Sequence, residues 1–396
     1  MKKERIPITR NRSRMPGTRP RIAVVCAYNP KNAGMYSVDL AAQHYFSGKG
    51  CAFDLFVTQI KRKLPGRIAN RLRLDKILSK HQRFGTLRFR LLYNPNQFDD
   101  YTHVVYWGDF TTNPVYGATE YAMRERKGGV SASYSAALHK WKALFALQGG
   151  KPAGRVVSAG QNFQHDFNEY GSDFDDVFAS IGACFDHILP RDPWSAANLL
   201  RTLPPSSACK VTPGLDCAFL LPVTERRSPR PQFCYHFGRS GFDRTAALVG
   251  AVEARSGLRG VALEDWFTLD PTRAEMQFTA MRAELAQARF VLTDTYHVSV
   301  NAMAMGVPVY GIGRHAASQT GTLGDFKKQT LFEMMQAQPC YFACAEDELE
   351  ATFFQRVLAA VGAQEAMQPA TADTVRETVS AHTAAFRTAL DEAVFG

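Results

Sequence analysis

Residues 289–313, RFVLTDTYHVSVNAMAMGVPVYGIG, bring together the side chains best suited to chemistry: Asp294, Thr295, Tyr296 and His297 in consecutive positions. A histidine there can carry a proton at neutral pH and can hold an anion beside it. It would serve equally as a core histidine bonded to a carbonyl. Two arginines add to the set. Arg191 follows a short apolar run, where a fixed guanidinium can hold a carboxylate or phosphate through two bonds. Its alternative is a local pair with Asp192. Arg239 lies in Gly238-Arg-Ser-Gly241, a glycine-flanked turn between an expected strand and helix, which makes an anion cradle. Asp109 ends the run THVVYWGD, with helix capping as its plain alternative. Asn32 and Gly34 sit in the turn after the first apolar run, a ligand-cradling arrangement that most often binds nothing.

The elements that must position these residues are legible from periodicity. Phe290–Leu292 and Val307–Ile312 read as buried strands, and Val298–Met305 between them as an apolar helix closed by Gly306. That is a parallel βαβ unit, whose ligands sit at the carboxyl ends of the strands. The same alternation recurs throughout. Strands are expected at 21–28, 51–58, 102–107, 154–159, 186–189 and 210–212, then at 232–237, 260–263 and 340–344. Helices are expected at 35–46, 116–126, 136–147, 174–184, 244–254, 271–288, 327–335, 347–361 and 371–394. The proline-rich PVTERRSPRP at 222–231 is the best linker. The expected organisation is a disordered basic arm (1–20), two domains (21–222 and 232–345) and C-terminal helices (346–396).

With 45% hydrophobic and 21% charged residues the chain is ordinary for a globular protein. No stretch approaches the roughly 20 apolar residues that cross a bilayer, and no secretory signal is evident. Eight cysteines without a C-x-x-C pair suggest reduced thiols in a cytosolic protein, with no metal site. The net charge of +10 is uneven: residues 1–21 carry +7, residues 61–90 carry +10, and the remainder is −7. Two basic segments suggest an anionic partner, unless they are simply solvated faces. Leu64, Ile68, Leu72, Ile77 and Leu78 fall near one helical face of the second, which ranks an anionic membrane surface above nucleic acid. Two other motifs lead nowhere. Gly311-x-Gly-x-x-Ala316 is not followed by a helix pattern, and 238–241 lacks the spacing of a hydrolase elbow.

Five phrases in register resemble the polysaccharide pyruvyl transferase family. They are Asn32-Ala-Gly34, Gly160-Gln-Asn162, Arg191-Asp-Pro-Trp-Ser195, Asp216-Cys-Ala-Phe-Leu220, and Thr293-Asp-Thr-Tyr-His297 with Asn301-Ala and Gly306-Val-Pro308. The resemblance spans about residues 21–320. It implies an α/β fold of two Rossmann-like domains facing across a cleft, glycosyltransferase-B-like, with the acceptor on the N-terminal side and the donor on the C-terminal side. It implies transfer of the pyruvate group of phosphoenolpyruvate to sugar hydroxyls as a ketal, with no cofactor beyond that co-substrate and no metal. The acceptor would be a bacterial surface glycan, of an exopolysaccharide or capsule, or its lipid-linked oligosaccharide precursor. The enzyme would then be cytoplasmic, held at the inner face of the plasma membrane by its basic segments. His297 matches the family's donor-contacting histidine, and Arg191 matches the arginine of its Arg-Asp-x-x-Ser phrase. The family's arginine two residues before the histidine is Thr295 here, so either Arg239, Arg314 or Lys327 replaces it or the donor differs.

In the chemistry so implied, His297 is the general acid or phosphate partner and Asp294 orients it. Asp109 takes the proton of the sugar hydroxyl, and Arg191 and Arg239 neutralise the donor. Thr295, Tyr296, Arg314, Asn32 and Gly34 complete the expected substrate contacts. A nucleotide-sugar-dependent glycosyltransferase of the same architecture is the alternative, with Glu264 or Asp265 on a ribose. A glycan-binding protein without activity is a third reading.

Overall fold

The computed structural model describes the chain outside residues 1–19, 28–30, 59–80, 110, 166–168, 170, 172–173, 175, 225–227, 316–324 and 363–368. The basic arm and most of the second basic segment therefore lie outside the described residues.

The strands form two sheets. The first holds β1 (Arg21–Cys26), β2 (Ala52–Val57), β3 (His81–Phe84), β4 (Leu87–Leu91), β5 (His103–Asp109), β6 (Arg155–Gln161) and β7 (His187–Pro190). Their order is β3-β4-β2-β1-β5-β6-β7, parallel except for β3. The second holds β8 (Gln232–His236), β9 (Arg259–Ala262), β10 (Val291–Thr293), β11 (Val309–Arg314) and β12 (Tyr341–Cys344), in the order β12-β11-β10-β8-β9 and parallel throughout. The molecule is thus α/β with two parallel-sheet units, as the alternation of apolar runs and helical periods predicts. Chain order reverses between β1 and β5 in one sheet and between β8 and β10 in the other. Such reversals open a crevice at the carboxyl ends of the strands.

One helix starts beside each reversal. After β1 comes α1 (Ala33–Gly48), capped by Asn32, whose Oδ1 accepts the Gly34 N–H at 2.9 Å. After β10 comes the helix Tyr296–Ala304. Both are almost wholly buried, so neither needs the one-sided apolar stripe of a surface helix. They pack against each other, with Asn301 Nδ2 donating to Ser37 Oγ at 3.2 Å. A single apolar core runs from β1 and α1 through this contact to β8, β10 and β11.

Two sequence expectations are corrected. Residues 81–90 belong to a hairpin rather than to a basic amphipathic stretch. Leu87, Phe89 and Leu91 are buried in alternation with Arg88 and Arg90, and Gly85 (φ 56°) makes the turn. Arg90 and Arg21, counted among the basic segments, are paired with Asp54 at 3.1 and 3.6 Å. Residues 210–212 do not form a strand. Pro204 and Pro205 start a short 3-10 helix, Pro205–Lys210, and only Val211 bridges to Ile188.

The C-terminal helix, Pro369–Phe395, returns from the second unit to the first. Near its start Arg376 packs over Gly306, and near its end Ala393 O accepts from Arg155 Nη1 at 3.2 Å. Asp391 accepts from Tyr45 Oη of α1 at 2.5 Å and from Nζ of Lys49, the residue that caps the end of α1, at 2.6 Å. No helix among the described residues is long and apolar enough to cross a membrane. Asp391→Ala is expected to lower stability by about 1 kcal/mol, since it removes two half-exposed polar contacts. Urea denaturation followed by circular dichroism checks this.

Candidate functional site

The site is built where the two helix N-termini meet. His297 lies in the first turn of its helix, 8% exposed, and its ring stands directly over Gly34 of α1. A Cβ at Gly34 would fall 2.4 Å from His297 Cβ and 2.7 Å from Nδ1. Glycine at this position is therefore a requirement of close approach, not of backbone conformation. His297 Nε2 lies 3.3 Å from Asp216 Oδ2, an ion-pair distance without the alignment of a good hydrogen bond.

Asp216 caps the short 3-10 helix Cys217–Leu220, accepting the Ala218 N–H at 2.9 Å. It also lies 3.9 Å from Arg191 Nη1. Burial alone would raise its pKa. The His297 imidazole, the Arg191 guanidinium and the Ala218 N–H outweigh burial and hold the carboxyl below the usual carboxylate range. Arg191 itself is fully buried. It leaves the end of β7, its Nε is 3.5 Å from Asp192, and its guanidinium covers the Tyr296 ring at 4.5 Å. Asp192 in turn caps the helix Pro193–Thr202 through Ser195 N at 2.7 Å. The phrase Arg191-Asp-Pro-Trp-Ser195 thus places a cation, a cap and a helix start in one tight turn.

Asp294 does not orient His297; that place belongs to Asp216. Asp294 Oδ2 accepts three backbone N–H groups, from Gly238 at 3.0 Å and from Arg239 and Ser240 at 2.8 Å. The expected anion cradle at 238–241 is thereby filled by a carboxylate of the protein. Arg314 is likewise committed, to Ser240 O and Gly241 O at 2.9 Å and to Glu350 at 3.6 Å. Lys328, which the sequence did not single out, is buried and ties Ser240 Oγ, Asp294 O and Asp325 together. Arg239 is exposed, with its guanidinium 4.1 Å from the Phe267 ring. Of the three cations proposed in place of an arginine at 295, Lys327 packs against the residue beside His297: its Nζ is 5.7 Å from the Tyr296 ring. Thr295 bonds Asp294 Oδ1 at 3.1 Å and His236 Nδ1 at 2.9 Å. It therefore leaves the N-terminus of the His297 helix without a side-chain cap.

On the first sheet, Asn32 serves as the cap of α1, and Asp109 ends β5 opposite Gln161. The Asp109 side chain lies outside the described residues. Gln161 is buried in a protein-only network with Gly108 O, Thr111 and Thr112. Gly160 (φ 64°) has no room for a Cβ, which would meet Cys217 Sγ at 2.6 Å. Of the ribose candidates, Asp265 accepts from Gln277 Nε2 at 2.8 Å. Sequence reasoning missed the role of Asp216, although an acid inside the apolar run LDCAFLL was its signal. It also missed His236, the polar end of the run FCYHF. Among the described residues no cluster of three His, Cys, Asp or Glu could hold a metal ion.

Residues 141–315 match the family model described as polysaccharide pyruvyl transferase, and over those residues the resemblance seen in the sequence is borne out. The family is one of transferases. The match includes Arg191, Asp216 and His297; Asn32, Gly34 and Asp109 precede it. No curated protein sequence matches. Solved structures similar to the chain include a UDP-N-acetylglucosamine 2-epimerase (13% identity, TM-score 0.44, 96% of each chain). HepE from Anabaena in complex with UDP has 10% identity and TM-score 0.45, over 95% of this chain and 99% of that one. The glycotransferase of kitacinnamycin has 10% identity and TM-score 0.47, over 95% and 99%.

Two measurements test the geometry. Gly34→Ala is expected to displace His297 and cost about 1–3 kcal/mol of stability by overpacking, together with most ligand binding; differential scanning calorimetry reads the first. Asp216 has a folded pKa below its unfolded value, so its contribution is complete above about pH 4 and disappears as pH falls through the folded value. The stability gap between wild type and Asp216→Asn is therefore expected to be widest at neutral pH and to close in acid. Urea denaturation along a pH series measures it.

Proposed function

We propose that the protein transfers the pyruvyl group of phosphoenolpyruvate to hydroxyls of a sugar, forming a cyclic ketal. The observation that carries this reading is the Arg191–Asp216–His297 cluster, assembled from both units where two helix N-termini converge. Phosphoenolpyruvate carries a carboxylate and a phosphate. Helix N-termini and Lys327 supply positive potential for such an anion. Asp216 Oδ2 stands 3.3 Å from His297 Nε2, so in this reading Nδ1 carries the proton that is transferred. Arg191, bracketed by Asp192 and Asp216, holds Asp216 in place beneath the histidine.

In the proposed reaction His297 delivers its Nδ1 proton to the donor's methylene carbon, and positive charge develops on the neighbouring carbon. A sugar hydroxyl adds there, releasing its proton. Phosphate then leaves with the C–O bonding pair, and a second hydroxyl closes the ring as its proton is lost. The acceptor is a surface glycan or its lipid-linked precursor. The basic segments would hold the enzyme at an anionic membrane surface, where it meets the lipid-linked form.

Phosphoenolpyruvate is expected to raise the melting temperature of the wild-type protein, while a panel of nucleotide sugars does not. Lys327→Ala should weaken donor binding roughly 10- to 100-fold, the range for a charge-assisted contact. His297→Ala should lower turnover by about 10²- to 10⁴-fold with the fold intact. A shift with a nucleotide sugar alone, or near-normal turnover in His297→Ala, would overturn the reading.

A further inference from the structure

One titratable side chain beside the cleft has no part in the reaction so described. His236 is the last residue of β8 and pairs with Thr293 of β10, so it sits at the reversal of chain order in the second sheet. Its Nδ1 lies 2.9 Å from Thr295 Oγ1, and the Thr295 hydroxyl donates to Asp294 Oδ1 at 3.1 Å. A hydroxyl has one proton. With that proton directed at Asp294, Thr295 can only accept from the imidazole. Nδ1 therefore carries the hydrogen, and Nε2 carries the lone pair. Asp294 cannot turn away to relax this order, because its other oxygen is held by three backbone N–H groups. The chain of carboxylate, hydroxyl and imidazole fixes both the ring plane and the tautomer.

Aromatic side chains wall the ring. Phe267 meets it edge-on at 4.7 Å, and Trp266 lies 6.3 Å away. The segment carrying these aromatics reaches the first unit through the Leu269 N–H, which donates to Lys31 O at 2.9 Å next to the Asn32 cap. Burial, countered by Asp294 and reinforced by Arg239, pushes the imidazole down to about 4. The ring is accordingly neutral around pH 7. A neutral nitrogen lone pair repels a phosphate or carboxylate oxygen and accepts from an O–H.

We propose that His236 binds a hydroxyl of the acceptor sugar, with Nε2 accepting the hydroxyl hydrogen beside the aromatic wall formed by Phe267. This rests on the transferase reading for the identity of the acceptor as a sugar. It separates an anion site around His297 and Lys327 from an uncharged hydroxyl acceptor at His236, whose Phe267 wall also carries the exposed Arg239 guanidinium at 4.1 Å.

The test uses the full chain labelled with ring-¹⁵N histidine and methyl glycosides of glucose, galactose, mannose and N-acetylglucosamine as probes. Long-range ¹H–¹⁵N spectra should show His236 with a bare Nε2 from pH 6 to 8, and a bound glycoside should move that resonance. His236→Asn keeps a donor near the Nδ1 position and removes the acceptor. It should weaken glycoside binding roughly 10-fold and leave the phosphoenolpyruvate melting shift unchanged. His236→Gln places an amide oxygen near the Nε2 position and should recover part of the loss. A protonated Nε2, a panel in which no glycoside perturbs His236, or an Asn variant that loses the donor shift instead would overturn the proposal. Glycoside binding through His236 without any phosphoenolpyruvate response would sink the donor assignment and leave the role of His236 intact.

Discussion

The contact between Gly34 and His297 is the constraint on which the rest of the site depends. Two buried helices, each starting at the crevice of its own sheet, approach so closely that one must present bare backbone to the other's histidine. Ser37 and Asn301 continue the contact one turn further along. Because the apolar core is continuous across this line, the packing that joins the two units is also the packing that positions His297. Stability and chemistry therefore draw on the same interface, and a change in one side chain there reaches both.

Charge at the interface is arranged by burying carboxylates for different purposes. Asp294 accepts backbone N–H groups and Thr295 and so shapes the 238–240 loop. Asp325 does related work, bonding Ser240 Oγ and the Arg314 N–H while pairing with Lys328. Asp216 alone among these faces His297. With a cation on one side and an imidazole on the other, this buried carboxylate is held below the usual carboxylate range. The first two acids build a scaffold that is closed on itself, and the third pairs with the histidine.

Much of this was legible in the sequence, and the limits have physical causes. Apolar runs alternating with helical periods located the strands of both sheets because buried parallel strands carry an almost unbroken apolar signature. His297 was legible because it follows such a run at a helix start, and Arg191 because it ends one. The partner of His297 was not. Asp294 is nearer in sequence, but a helix N-terminus directs residues three apart by the local turn, and a loop of N–H groups was waiting for that carboxylate. Asp216 comes from another unit 81 positions earlier, and no local rule connects the two. Gly34 read as a turn glycine, whereas its necessity arises from a ring on the far side of the cleft. The same limit hid the commitment of Arg314, whose partners are carbonyls of a distant turn.

The threonine at 295 makes physical sense once its neighbours are considered together. A guanidinium there would stand against His236 and Asp294. It would draw Asp294 from the loop N–H groups and add a cation beside an imidazole that burial already keeps neutral. Threonine instead passes a hydrogen bond from one to the other and adds no charge. Under the proposed reaction, the positive charge that the helix start lacks is supplied by Lys327, whose Nζ lies 5.7 Å from the ring of Tyr296. Under the same proposal the donor anion meets Lys327, and the acceptor hydroxyl meets the uncharged nitrogen of His236.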